Sequence, residues 1–173
     1  MKVLVDRFDI ERIAALYEAQ NYEKCNDYVK SVCERLGRTT PWLNWVRGVC
    51  EDMLGNPFEG LHHFKQALES DPYNFTYMQA LHTNLNMFKN GLLSALEREG
   101  GLQYVETVHK CLVEAGEFTS THQYLVIKNY IKHKKFREAQ DLLHGFLTNN
   151  PNDLEALALE KLVDECSTKL LVS

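Results

Sequence analysis

The stretch from Thr40 to Pro72, TPWLNWVRGVCEDMLGNPFEGLHHFKQALESDP, decides the fold. Thr40 is a residue type that caps a helix N-terminus, and Pro41 suits the first helical position, where its missing N–H costs nothing. Trp42, Trp45, Val46, Val49, Cys50 and Met53 then recur at helical spacing until Leu54-Gly55-Asn56-Pro57 stops the helix. A second helix opens at Pro57-Phe58-Glu59, carries Leu61, Phe64, Ala67 and Leu68 on one face, and closes at Asp71-Pro72. The stretch therefore reads as one antiparallel helix pair joined by a tight turn.

The same unit recurs on both sides. Upstream, helices at 9–19 and 22–36 meet at Gln20-Asn21, and the second ends at Gly37. Downstream, a helix starts at Phe75 and runs on through Glu99 before the chain breaks at Gly100-Gly101, and its partner covers 102–115. A further pair covers 120–133 and 136–148 and ends at Asn149-Asn150-Pro151. A last helix follows, with a stripe of Leu159, Leu162, Val163, Cys166 and Leu170. Cys25, Gly60, Ser94 and Ala139 are candidates for the small residue at the closest helix approach of each pair. They are 35, 34 and 45 residues apart in turn. The third unit therefore carries an insertion of about eleven residues on a period near 34, one helix–turn–helix per repeat.

The bulk numbers fit such a chain. Its 173 residues are 45% apolar and 25% charged, which excludes a disordered polymer. No strand-type alternation occurs, so the fold class is all-α. A formal charge of −5 weighs against a life on nucleic acid or an anionic membrane. No run approaches the length of a membrane helix. Met1-Lys2-Val3-Leu4-Val5-Asp6-Arg7 lacks the apolar core of a signal peptide, and Leu170-Leu171-Val172 is too short to anchor anything. Cys25, Cys33, Cys50, Cys111 and Cys166 are odd in number and widely spaced, a pattern of reduced thiols that points to the cytoplasm. The triplet Asn74-Phe75-Thr76 reads as an incidental glycosylation signal.

The repeat resembles the tetratricopeptide family. In the second unit Gly48, Gly55, Gly60, Phe64, Ala67 and Pro72 fall on the family's pattern. The family's Trp is displaced by one to Trp45, its first-helix Tyr is replaced by Glu51, and Gly60 stands where Ala is usual. The fourth unit matches through Tyr130, Phe136, Ala139, Leu143 and Pro151, and the first through Tyr22, Cys25, Val29 and Gly37. The third departs from the pattern at Ser94, Arg98 and Gly101. The resemblance implies a single domain over 1–173, with repeats over approximately 6–39, 41–74, 75–119 and 120–152 and a capping helix over 152–169. It also implies a right-handed superhelical stack of antiparallel helix hairpins, an α-solenoid whose first helices line an inner groove.

Carried onto this chain, the groove positions are Arg7, Ile10, Ala14 and Tyr17 in the first unit and Trp42, Trp45, Val49, Asp52 and Met53 in the second. The third supplies Thr76, Gln79, Thr83, Asn86 and Met87, and the fourth Thr121, Tyr124, Lys128, Ile131 and Lys132. Aromatic anchors, methionines and amides suit a peptide or helix of a partner protein, and the two lysines suit an acidic group on it. Trp42 and Trp45 have a second reading as packing residues between units. Ala14, Asp52 and Gln79 do not supply the basic and amide set with which some family members grip a C-terminal carboxylate.

Chemistry finds little foothold. His62 and His63 are adjacent and so point about 100° apart on a helix, and His109 and Cys111 also lie on different faces. No phosphate loop, nucleophile elbow or cofactor fingerprint occurs, so no catalytic residue, metal or cofactor is expected. The expected function is a protein–protein adaptor or chaperone-like scaffold, with a homodimer among the arrangements it permits. Two alternatives stand beside it. One is a structural subunit of a larger assembly. The other is an RNA-reading helical repeat seeded by Lys128, Lys132, Lys134, Lys135 and Arg137, although the segment 41–75 carries more acidic than basic residues.

Overall fold

The computed structural model describes residues 5–171, with side chains through Thr168. The expectations placed on Met1–Leu4, on the side chains of Leu170 and Leu171, and on Val172 lie outside the described residues. The described residues form α1 (Arg7–Glu18), α2 (Tyr22–Leu36), α3 (Pro41–Met53), α4 (Pro57–Ser70), α5 (Phe75–Glu97), α6 (Leu102–Glu114), α7 (Ser120–Lys132), α8 (Phe136–Asn149) and α9 (Leu154–Leu171). They contain no strand. The insertion expected in the third unit is absorbed by α5, which has 23 residues against 13 in α3.

The local chemistry of the ends explains the boundaries. Thr40 caps α3 by accepting a hydrogen bond from the Leu43 N–H at 3.2 Å, and Pro41 and Pro57 open α3 and α4. Asn74 caps α5, its side-chain oxygen accepting from the N–H groups of Thr76 at 3.1 Å and Tyr77 at 3.3 Å. The apparent glycosylation triplet is thus a helix start. Asp153 caps α9 in the same way, through the Ala156 N–H at 3.0 Å.

The hairpin turns carry the repeat more plainly than the side chains do. Gln20, Gly55 and Lys134 all adopt the left-handed backbone conformation. At each, that residue's N–H reaches the carbonyl three residues back, and the next N–H reaches the one five back. Those next residues, Asn21, Asn56 and Lys135, open α2, α4 and α8 with ψ of 67°, 60° and 59°. The exits of α4 and α8 match as well: Asp71 and Asn150 share φ,ψ near −140°, 70° and precede a proline.

The chain divides into two compact units, one up to Met87 and one from Phe88. They repeat one another at an offset of 79 residues. The left-handed Gly37 and Gly55 correspond to Gly116 and Lys134, the cap position Thr40 to Thr119, and the starts of α3, α4 and α5 to those of α7, α8 and α9. The corresponding buried residues include Ile13 and Leu92, Val29 and Val108, Gly60 and Ala139, and Phe64 and Leu143. By this offset α1 corresponds to the C-terminal half of α5, and α9 to its N-terminal half.

Within each unit, helices pack on their chain neighbours: α1 on α2, α2 on α3 and α3 on α4, then α6 on α7, α7 on α8 and α8 on α9. The first core centres on Ile13, Cys25, Val29, Val32, Leu43, Val46 and Cys50. The α3–α4 packing depends on glycine at position 48, because a Cβ there would lie 2.5 Å from the Phe64 ring. All five cysteines are free thiols, with Cys25 and Cys50 buried. No described helix is long and apolar enough to cross a membrane. Helix α9 buries Ala156 and Val163, yet Leu154, Leu157 and Leu162 stay exposed. Its exposed side thus mixes these leucines with Glu155, Lys161, Asp164 and Glu165.

Candidate functional site

In the first unit, α3 and α5 are held side by side by two contacts. The Asn84 amide donates to the Asp52 carboxylate at 2.7 Å and to the Pro57 carbonyl at 2.9 Å, and the Trp45 and Tyr77 rings lie 6.3 Å apart. Asn84 and Tyr77 are buried by these contacts. Residues on the other side of α5 are left outward: Gln79, Thr83, Asn86 and Met87 recur at i, i+4, i+7 and i+8, and all are exposed. On α3, Met53 is 57% exposed and Val49 half-buried. Tyr17 on α1 is 37% exposed, its ring edge-on to Tyr22 at 5.7 Å.

Trp42 and Trp45 stand apart from this set. Both are half-buried and pack against the core cluster of α1–α3. Their indoles give packing surface to that cluster and remain partly exposed.

In the second unit Tyr124, Lys128 and Lys132, three of the five groove positions expected on α7, are already engaged within the chain. The Tyr124 ring packs on Phe146 at 5.2 Å. Burial, together with the Asp153 carboxylate, pushes its hydroxyl well above the usual tyrosine range. Lys128 pairs with Glu155 at 2.6 Å. Lys132 donates to the carbonyls of Ala95, Leu96 and Arg98, the last at 2.8 Å, and so neutralises the C-terminal end of α5. Lys135 in the same basic segment pairs with Glu138 at 3.0 Å and Glu106 at 3.8 Å. Three of the five cations proposed as an RNA seed are thus committed to carboxylates or carbonyls.

The structure also holds a buried polar framework that the sequence pattern concealed. Glu51 is buried and accepts from Asn26 at 2.6 Å and Asn56 at 3.0 Å, tying α2 to α3 and to the turn before α4. Asp9 is buried and accepts from Tyr28 at 3.0 Å and from Arg35. Burial raises the Asp9 carboxyl, but the Arg35 and Tyr28 hydrogen bonds outweigh it and hold the group below its ordinary value. A polar residue on a helix face reads as solvated, and only the partner's identity, distant in the chain, could have marked these as core.

His63 is buried, and its Nδ1 has no hydrogen-bond partner. Burial first, then the neighbouring Arg47 and His62, lower its imidazole to about 4. Among the described residues, no group of three or more His, Cys, Asp or Glu is gathered as a metal site.

Comparison with protein-family models, with curated proteins and with solved structures found no match to this chain.

Proposed function

We propose that this chain is a tetratricopeptide-like helical-repeat scaffold, without catalytic activity of its own, that holds a segment of a partner protein. The holding face is on the first unit, and Tyr17, Val49, Met53, Gln79, Thr83 and Asn86 carry it. The observation behind the reading is the division of labour on α5. Its buried side bonds α3 and α4, while Gln79, Thr83, Asn86 and Met87 form an exposed row with no packing duty. Exposed methionines with amides and a hydroxyl between them suit an adaptable contact with a peptide or an amphipathic helix. Such a row matches the positions that the family resemblance assigns to the lining.

The lysines Lys128 and Lys132 drop to a supporting role, since their charges are already balanced within the chain. Tests through Trp45 or Tyr124 would confound binding with packing. Substitutions at Thr83 and Met53, which are exposed, separate the two: Thr83→Arg and Met53→Asp abolish partner recovery while leaving the helix content and melting temperature unchanged. Unaltered recovery by both variants overturns the reading.

A further inference from the structure

The second unit contains a pocket of about 550 Å³ bounded by the end of α6, the loop before α7, the first turn of α7 and the last turns of α8. It lies outside the proposed holding face, which belongs to the first unit, and does not depend on that reading. Gly145 lines it, and a Cβ placed on Gly145 would meet nothing within 4 Å. Gly48, Gly60 and Gly91 differ, because a Cβ at each would run into a neighbouring side chain. A glycine inside a helix is unfavourable, and here no contact within the chain requires one. The internal repeat sharpens the point. Gln66 occupies the corresponding position in the first unit and places its amide 3.0 Å from the His62 imidazole. In the second unit these two positions are Gly145 and Asp141, and space opens where a side chain stood.

The one carboxylate of the lining, Asp141, stands beside the hydroxyl and amide groups of Thr119, Ser120, Gln123, Asn149 and Asn150. Phe118, half-buried with one side of its ring on His109 at 4.7 Å, supplies an apolar face, while Phe146 is buried against Tyr124; the exposed Asp141 supplies a carboxylate with no ion-pair partner among the described residues. Asn149 and Asn150 each spend an amide N–H on a carbonyl of the preceding turn, at 3.2 Å and 3.1 Å, which leaves their side-chain oxygens as acceptors. The end of α8 adds the partial negative charge of its last carbonyls. No lysine or arginine lines the pocket, and burial holds the His109 imidazole below its ordinary value. Thr119 and Ser120 at the start of α7 also line the pocket, where N–H groups without a partner inside the helix suit the backbone carbonyls of a bound chain.

We propose that this pocket takes a basic side chain, arginine foremost, presented by an extended segment of a partner protein. A planar guanidinium lies flat on phenylalanine while its N–H groups reach a carboxylate and amide oxygens together, which an ammonium does less well. The chain's net charge of −5 favours a basic partner over an acidic one.

The test is a titration of the full chain with the capped tripeptide Ac-Ala-Arg-Ala-NH2, followed by amide proton–nitrogen correlation spectra, with Ac-Ala-Glu-Ala-NH2 as the control. Saturable shifts at Gly145, Phe146 and Asn149 are expected with the arginine peptide and none with the glutamate peptide. Asp141→Asn weakens binding by roughly fivefold, the worth of an exposed ion pair. Gly145→Gln, which installs the residue the first unit uses, abolishes it in a folded protein. The proposal is overturned by an absence of saturable shifts, by an equal response to the glutamate peptide, or by undiminished binding in Gly145→Gln.

Discussion

The carboxylate of Asp52 accepts a hydrogen bond from Asn84 at 2.7 Å and fills the space that a Cβ on Gly60 would occupy. This explains why a glycine stands at position 60. Gly60→Ala forces the carboxylate away from Asn84 and costs on the order of 1–3 kcal/mol by overpacking. Asp52→Ala removes the obstruction, so the double variant loses less than the two single losses added together. Urea unfolding of the four proteins measures the coupling; strict additivity would show that the two residues do not compete for one space.

Asp52 and His63 give the protein opposing pH dependences. Burial raises the Asp52 carboxyl from 3.8 to about 6, against the Asn84 hydrogen bond, so the folded state takes up a proton first and gains stability as pH falls from 6 to 3.8. His63 is lowered from 6.5 to about 4, so the unfolded state is protonated first and stability is lost as pH falls from 6.5 to 4. Each is worth on the order of 2 kcal/mol, and the two nearly cancel across the shared window. Asp52→Asn therefore exposes a loss of stability on acidification from pH 6.5, and His63→Gln exposes a gain below pH 6. Denaturation midpoints from pH 7 to pH 4 check both slopes. Asp9, held below its ordinary value, adds a loss only as pH falls below 3.8.

Lys134 and Gln20 sit in the left-handed region, with φ of 59° and 54°, at the position where the second hairpin has Gly55. A side chain there is strained by about 1 kcal/mol. Lys134→Gly and Gln20→Gly each raise stability by roughly 0.5–1 kcal/mol, and Gly55→Ala lowers it by a similar amount. Thermal melts separate the directions.

Lys132, although exposed, serves the carbonyl end of α5. Lys132→Met keeps the aliphatic stem and loses the charge, at a cost of about 0.5–1 kcal/mol. Hydrogen exchange at the amides of residues 95–98 speeds up in this variant, while exchange in α1–α4 stays unchanged.

Much of the helix pattern was legible in the sequence because prolines, glycines and capping residues mark ends locally. Pro41, Pro57 and Gly37 stand where expected, and the shifts are small: α1 begins at Arg7, α5 ends at Glu97 and α9 begins at Leu154. The 79-residue correspondence lay half hidden in the spacing of Gly60 and Ala139, because its clearest marks are turn conformations adopted by glutamine and lysine as well as glycine. The candidate site was legible only in part. Exposure of Gln79, Thr83 and Asn86 follows from helical period. The engagement of Lys128 by Glu155, or of Lys132 by the end of α5, depends on packing between helices far apart in the chain.

The outward row of α5 is proposed to hold a partner segment. A photo-crosslinking residue at Gln79, Thr83 or Asn86, with Glu69 on the exposed side of α4 as the control position, tests it in the cells that make the protein. One protein adduct common to the three α5 positions is expected, absent at Glu69 and lost when Met53→Asp is added. The same adducts at Glu69 as on α5, or none at any α5 position, would contradict it.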